Sequence, residues 1–234
     1  MGKFIVIGER IHCISPVIRK ALSERDPGPI LRRAKEQIEA GAQYIDVNIG
    51  PAESDGEELM QWIVKLLQEN FDNVPLSLDT VNSKAIEAGL KVYDRSKGKP
   101  IINSANAGDR ITNIDMAAEY DAIVLALCSK EGIPADNDER MLYCQEMLER
   151  GMSLGMDPMD MWFDPLFLVI KGMQDKQTEV LEAINLISQM GLNTTGGLSN
   201  VSNGMPKHIR PIMDSAMIAM AMQCGLTSAI ANPC

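Results

Sequence analysis

Seven short apolar runs in this 234-residue chain end in an acid, an amide or a hydroxyl. The residues are Glu9, Asp46 with Asn48, Asp79, Asn103, Asp164, Ser199 with Asn200, and Asn232. One such position could be a strand entering a loop. Seven of them suggest side chains converging on one mouth. The set has carboxylates and amides, little positive charge and no obvious nucleophile. Ser199 has no His beside it, so a Ser-His-Asp arrangement is weak. Asp79 and Asp164 could hold Mg²⁺ through oxygen. They could equally accept hydrogen bonds from the N–H groups of a heterocycle. Asn103 offers both a donor and an acceptor, which suits the mixed edge of a pyrimidinone ring. Residue types and spacing leave both readings open.

The elements that must position these residues follow from hydropathy. Strand-like runs fall at Phe4–Ile7, Tyr44–Ile49, Leu76–Leu78, Ile101–Ile102, Ala122–Leu127 and Met161–Phe163. A less apolar run covers about Thr194 to Asn200, and the last is Ser228–Ala231. Apolar runs with little alternation fit parallel strands buried on both faces. The intervening segments read as helices. Pro29 falls in a first turn, Ile30, Ala34 and Ile38 recur at four-residue spacing, and Gly41 stops the helix. Asn137 to Arg150 is amphipathic, and Val180, Ile184 and Ile187 form a stripe that Gly191 ends. Eight strands alternating with helices, with no G-x-G-x-x-G after the first strand, favour a single (β/α)8 barrel domain over an open doubly wound sheet. A complete barrel carries a helix after its last strand. The chain ends at Cys234, just past the eighth run, so the final helix is expected to be missing or shortened.

Composition narrows the function classes. The net charge is -10 and no basic stripe exists, which argues against nucleic acid and anionic lipid. Lys and Arg residues such as Arg32, Arg33 and Lys35 read as solvated helix faces. The five Cys residues are odd in number and lack C-x-x-C spacing. Cys128 and Cys144 read as buried thiols, which is reduced, cytoplasmic usage. Only His12 and His208 are present, without H-x-x-x-H spacing, so no metal site is expected. No signal peptide or membrane-spanning run is seen. The 16 Met residues read as core filling.

Six segments together resemble one family: Gly8–Glu9–Arg10–Ile11, Asp46–Val47–Asn48–Ile49–Gly50–Pro51, Leu78–Asp79–Thr80, Ile102–Asn103–Ser104, Phe163–Asp164–Pro165–Leu166 and Gly197–Leu198–Ser199–Asn200–Val201–Ser202. It is the methyltetrahydrofolate:corrinoid protein methyltransferases, which share a pterin-binding barrel with the folate domain of cobalamin-dependent methionine synthase. The resemblance implies that Asp79, Asn103 and Asp164 hold the pyrimidine side of a pterin. It implies that Asn200 lies near N5, which carries the methyl group, with Gly197 and Ser199 beside it and Arg210 close to the folate. Glu9, Asp46 and Asn48 stand in the same motifs and count as further candidate binding residues. The substrate implied is tetrahydrofolate or 5-methyltetrahydrofolate. The chain has no D-x-H-x-x-G cobalamin motif, so the corrinoid (cobalamin) is expected on a separate partner protein. A homodimer is also implied.

The implied reaction displaces a methyl group at N5, a poor leaving group that needs a proton or a strong hydrogen bond. Asn200 cannot titrate but can strengthen a hydrogen bond electrostatically. The direction of transfer is open. Two departures stand out: His12 where the family has Asn, and a slightly longer stretch between Asn200 and Arg210. Three other readings compete: a dihydropteroate synthase, a non-catalytic folate-binding subunit, and a barrel gripping a sugar phosphate with the Gly196–Gly197 loop.

Overall fold

The computed structural model describes residues 4–52 and 54–234. Eight parallel strands follow one another around the sheet: β1 (Ile5–His12), β2 (Tyr44–Asn48), β3 (Leu76–Asp79), β4 (Ile101–Asn106), β5 (Ile123–Leu127), β6 (Met161–Asp164), β7 (Asn193–Thr194) and β8 (Ser228–Ala231). Each of β2 to β7 pairs with the strand before it, and β8 pairs with β1. The last seam, between β7 and β8, is a single bridge from Gly197 to Ile230. Around it Thr227 Oγ1 donates to Thr194 O (2.7 Å) and accepts from Thr194 N–H (2.9 Å), and Ile230 N–H donates to Gly196 O (2.9 Å). The result is a nearly closed (β/α)8 barrel.

The helices that link the strands are α1 (Pro16–Glu24), α2 (Pro27–Glu39), α3 (Gly56–Asn70), α4 (Ser83–Val92), α5 (Thr112–Glu119), α6 (Asn137–Ser153), α7 (Lys176–Gln189) and α8 (Arg210–Gln223). Three of them, α2, α4 and α6, are capped at their starts by side chains. Asp26 accepts from Gly28 N–H, Asn82 from Lys84 and Ala85 N–H, and Asp136 from Glu139 N–H. Gly41 takes a φ of +96° just past α2, a conformation glycine adopts without a Cβ clash. Both α1 and α2 follow β1, and residues 232–234 after β8 carry no helix.

Strand parity sorts the side chains into two layers. Ile45 and Val47 of β2, Leu76 and Leu78 of β3, Val124 and Ala126 of β5, and Met161 and Phe163 of β6 pack outward into the main core against the helices. The alternate residues Ile5, Ile7, Tyr44, Ile101, Ile123, Leu125, Trp162 and Ile230 form a separate cluster. They come from six strands, so they fill the barrel lumen. Tyr44 and Trp162 meet there edge to face, with ring centroids 5.9 Å apart. Continuing up the same faces gives Asp46 and Asn48 above Tyr44, Asn103 above Ile101, and Asp164 above Trp162. The lumen is apolar at the N-terminal ends of the strands and polar at the C-terminal ends.

Three strands differ from the expectation. The first runs on to His12, with a register shift between Gly8 and Ile11. Glu9 and Arg10 therefore sit on a bulge, not at a strand end. Gln37 Oε1 accepts from Arg10 N–H there at 2.8 Å. The fourth runs on past Asn103 to Asn106, again with a register shift, between Asn103 and Ala105, and the Asn103–Ser104 peptide bond is cis. The seventh is only two residues long, and Leu198–Asn200 is a 3-10 turn, not strand. A Cβ on Gly196 would lie 2.3 Å from the Phe167 ring, so the backbone bends around that ring where the strand was expected to continue.

Candidate functional site

The polar strand ends form two linked groups at the C-terminal mouth, the usual location of the active site in this architecture. The first is half-buried, with Asp46 and Ser77 fully buried. Asp46 Oδ1 accepts from Ser77 Oγ (2.6 Å) and from Asn103 Nδ2 (3.1 Å). Asn48 Nδ2 donates to Asp79 Oδ2 at 2.5 Å, while Asn48 Oδ1 accepts from Gly50 N–H (3.0 Å) and from the Cys13 thiol (3.2 Å). Parity and register explain the grouping, since Asn48 faces Asp79 and Asp79 faces Asn103 across the ladders. Burial, and then the neighbouring Asp79 charge, push the Asp46 carboxyl well above the usual range. Burial also raises Asp79, against the Asn48 hydrogen bond and the nearby His12 and Arg110.

Asp164 stands at the end of β6, 7% exposed. Its Oδ1 accepts from Leu166 N–H at 2.7 Å. Burial lifts this carboxyl to about 7, against hydrogen bonds from the Leu166 and Gly197 backbone. Through Gly197 this acid is tied to the turn that carries Ser199 and Asn200.

The second group lines a cleft of about 490 Å³ bordered by Glu9, Arg10, His12, Arg33, Ser199, Asn200, Arg210 and Asn232. That volume falls within the roughly 300–1,000 Å³ of small-molecule sites. A comparable hollow of about 510 Å³ beside Phe4, Trp162 and Leu226 lies at the opposite, apolar end of the barrel. Ser199 Oγ donates to Glu9 Oε2 at 2.9 Å. Burial raises Glu9, countered by that hydrogen bond. Asn200 is exposed at the rim, and Gly197 lets it turn close, since a Cβ there would sit 3.2 Å from Asn200 Nδ2. Arg210 opens α8 and its Nε donates to Ser202 Oγ at 3.1 Å. His12 Nδ1 accepts from Ile14 N–H at 3.1 Å, which in the neutral ring leaves the proton on Nε2. Burial lowers its pKa, against the pull of Asp79.

Thus Asp46, Asn48, Asp79 and Asn103 come together in one network. Glu9, Ser199, Asn200 and Arg210 come together around the cleft, and Asp164 joins them through Gly197. His12 faces Asn48 across the β1–β2 ladder, as Asn48 faces Asp79 across the next, and this connects the two groups. Sequence reasoning missed Ser77 and Arg110, whose Nη1 donates to Ser104 Oγ at 3.2 Å. It also misread Arg33. This residue lines the cleft instead of a solvated face, because it lies three residues after buried Ile30 and four before buried Gln37. That spacing was the available signal. All five cysteines are free, with Cys128 and Cys144 fully buried as expected. Among the described residues no helix is long and apolar enough to cross a membrane.

Residues 15–232 match the model of the pterin binding enzyme family. The chain is 28% identical to the methylcorrinoid:tetrahydrofolate methyltransferase of Eubacterium limosum, over 98% of this chain and 85% of that protein. It is 27% identical to the methionine synthase of Mycobacterium leprae, over 97% of this chain but only 20% of that much longer one. Among solved structures it is similar to a dihydropteroate synthase from Yersinia pestis (TM-score 0.73, 20% identity, 98% of this chain and 88% of that one). It is also similar to one from Vibrio fischeri (TM-score 0.74, 17% identity, 98% and 87%).

Proposed function

The chain belongs to the pterin-binding enzyme family, and on that premise we propose that it is a methyltransferase. It moves a methyl group between N5 of tetrahydrofolate and the cobalt of a corrinoid carried by a partner protein. The observation that carries this reading is an amide, Asn200, at the rim of a cleft that adjoins a half-buried carboxylate–amide network. The similarity to a methylcorrinoid:tetrahydrofolate methyltransferase through nearly the whole chain supports the choice of group transferred.

In this reading Asp79, Asn103 and Asp164 hold the pyrimidine edge of the pterin. A pyrimidinone ring presents N–H donors beside a carbonyl, and carboxylates with an amide complement both. The raised carboxyls of Asp79 and Asp164 fit such a ligand, since its N–H groups supply partners that favour the buried anion. Asp46 orients Asn103, and Asn48 orients Asp79. Gly197 and Ser199 shape the turn that holds Asn200 near N5. Asn200 strengthens its hydrogen bond as N5 changes charge, which is electrostatic help concentrated in the transition state. The proton itself comes through water or from His12.

The test separates rate from affinity. Asn200→Ala should lower methyl transfer to cob(I)alamin by about 10²-fold or more, the cost of losing one preorganised donor, while folate affinity changes far less. Equal losses in rate and affinity would sink this role for Asn200. Wild-type protein that binds 5-methyltetrahydrofolate and transfers nothing would point to a non-catalytic folate-binding subunit. A dihydropteroate synthase reading is favoured by one observation, the arginines around the cleft, which suit a pyrophosphate. Condensation with 4-aminobenzoate would support it.

A further inference from the structure

The chain carries a net charge of -10, yet three arginines, Arg10, Arg33 and Arg210, border one cleft. Arg10 comes from the β1 bulge, Arg33 from α2 and Arg210 from the start of α8. Arg10 Nη1 and Arg33 Nη1 both reach the same oxygen, Glu36 Oε2, at 2.8 and 3.0 Å. Two guanidiniums thus share one carboxylate, and a positive excess is left beside it. Among the described residues Arg210 has no carboxylate in ion-pair contact. Its hydrogen bond through Nε to Ser202 leaves the terminal nitrogens of the fork to other partners. Arg10 and Arg33 are only 22% and 32% exposed, and the Gln37 bond to the Arg10 backbone fixes the bulge that presents the first of them. Solvated surface arginines would be neither so confined nor so convergent.

The placement along the mouth matters as much as the charge. Asp79, Asn103 and Asp164 stand at the inner strand ends, and His12, Asn200 and the three arginines line the cleft beside them. A folate divides in a matching way, into a pyrimidinone edge with N5 beside it and a benzoyl arm that ends in carboxylates. We propose that Arg10, Arg33 and Arg210 form an anion-accepting rim for the carboxylate tail of a folate, and that affinity rises with the number of γ-linked glutamates on that tail. This rests on the folate reading above. The shared chemistry is a small oligoanion, and a pyrophosphate or sugar phosphate is the other source it could have.

The experiment is calorimetric titration of the full chain with four probes. These are a tetrahydropterin without a tail, 5-methyltetrahydrofolate with one glutamate, the same with three glutamates, and inorganic pyrophosphate. Each is run on wild type, Arg33→Gln and Arg33→Glu, with circular dichroism to check folding. Wild type should bind the triglutamate about five-fold or more tighter than the monoglutamate, as expected for two further half-exposed ion pairs, and salt should shrink the gain. Arg33→Gln should reduce this gain and Arg33→Glu should abolish it. A wild-type affinity indifferent to tail length overturns the rim, as does a gain that Arg33→Glu leaves intact. If the tailless pterin still binds in those cases, the pterin site stands without the rim. Failure of every pterin probe overturns both readings. Pyrophosphate binding that depends on Arg33, with no tail-length effect, assigns the arginines to a phosphate instead.

Discussion

Asp164 is the residue through which pH should act. Its ordinary value is 3.8 and burial lifts it to about 7 in the folded chain. Between those values the folded protein keeps a proton that the unfolded chain has released. Stability therefore falls as pH rises through that window and levels off above it. A ligand that donates N–H groups to the carboxylate reverses the preference, so its affinity should rise with pH up to about 7 and then flatten. Titration of 5-methyltetrahydrofolate at several pH values checks this, and Asp164→Asn should remove the part of the slope nearest neutrality. An unchanged slope in that variant would move the effect to Asp46, Asp79 or Glu9, whose carboxyls are raised in the same direction.

Just past β6 and β7 one close approach constrains the backbone path. Phe167 and Gly196 approach so closely that a Cβ would overlap the ring. Gly196→Ala should cost about 1–3 kcal/mol, the usual penalty of overpacking. Urea unfolding measures it, and Phe167→Leu in the same chain should recover part of the loss. This stretch was also the least legible in the sequence. Strands such as β5 and β6 could be read because burial on both faces makes them continuously apolar. Thr194–Gly197 has no such run, since its structure is set by contacts with Phe167 and with Thr227, far away in the chain. The Glu9–Arg10 bulge was unreadable for the same reason, being held by Gln37 of a helix. The polar strand ends were legible because they continue the inward faces of apolar strands. Their pairing, Asn48 to Asp79 and Asn103 to Asp46, depends on register between strands, which local spacing does not encode.

For the molecule as a whole, closure of the barrel is its weakest seam. One bridge and a few threonine contacts join β7 to β8, where every other junction has two or more paired residues. Thr227→Val removes the hydroxyl that both donates to Thr194 O and accepts from Thr194 N–H. It should cost about 1–3 kcal/mol, because a buried backbone donor loses its partner. Hydrogen exchange should show β7 and β8 opening before β2–β5, and a uniform change across all strands would contradict a local seam. The same seam positions Gly196 and so the turn bearing Asn200, which ties the integrity of the barrel to the geometry of the cleft.

The edge-to-face pair of Tyr44 and Trp162 has a spectroscopic consequence. The chain holds only two tryptophans. Trp62 packs beneath the Arg25 guanidinium on the outer helices, 5.6 Å from ring centre to charge. Trp162 lies at the apolar end of the lumen, two residues before Asp164 on the same face of β6. Its emission is expected to shift as Asp164 ionises near pH 7 and to lose that shift in Asp164→Asn, which a fluorescence pH titration checks. A shift of that kind would make the barrel an optical voltmeter for the charge state of its own mouth, readable without a label.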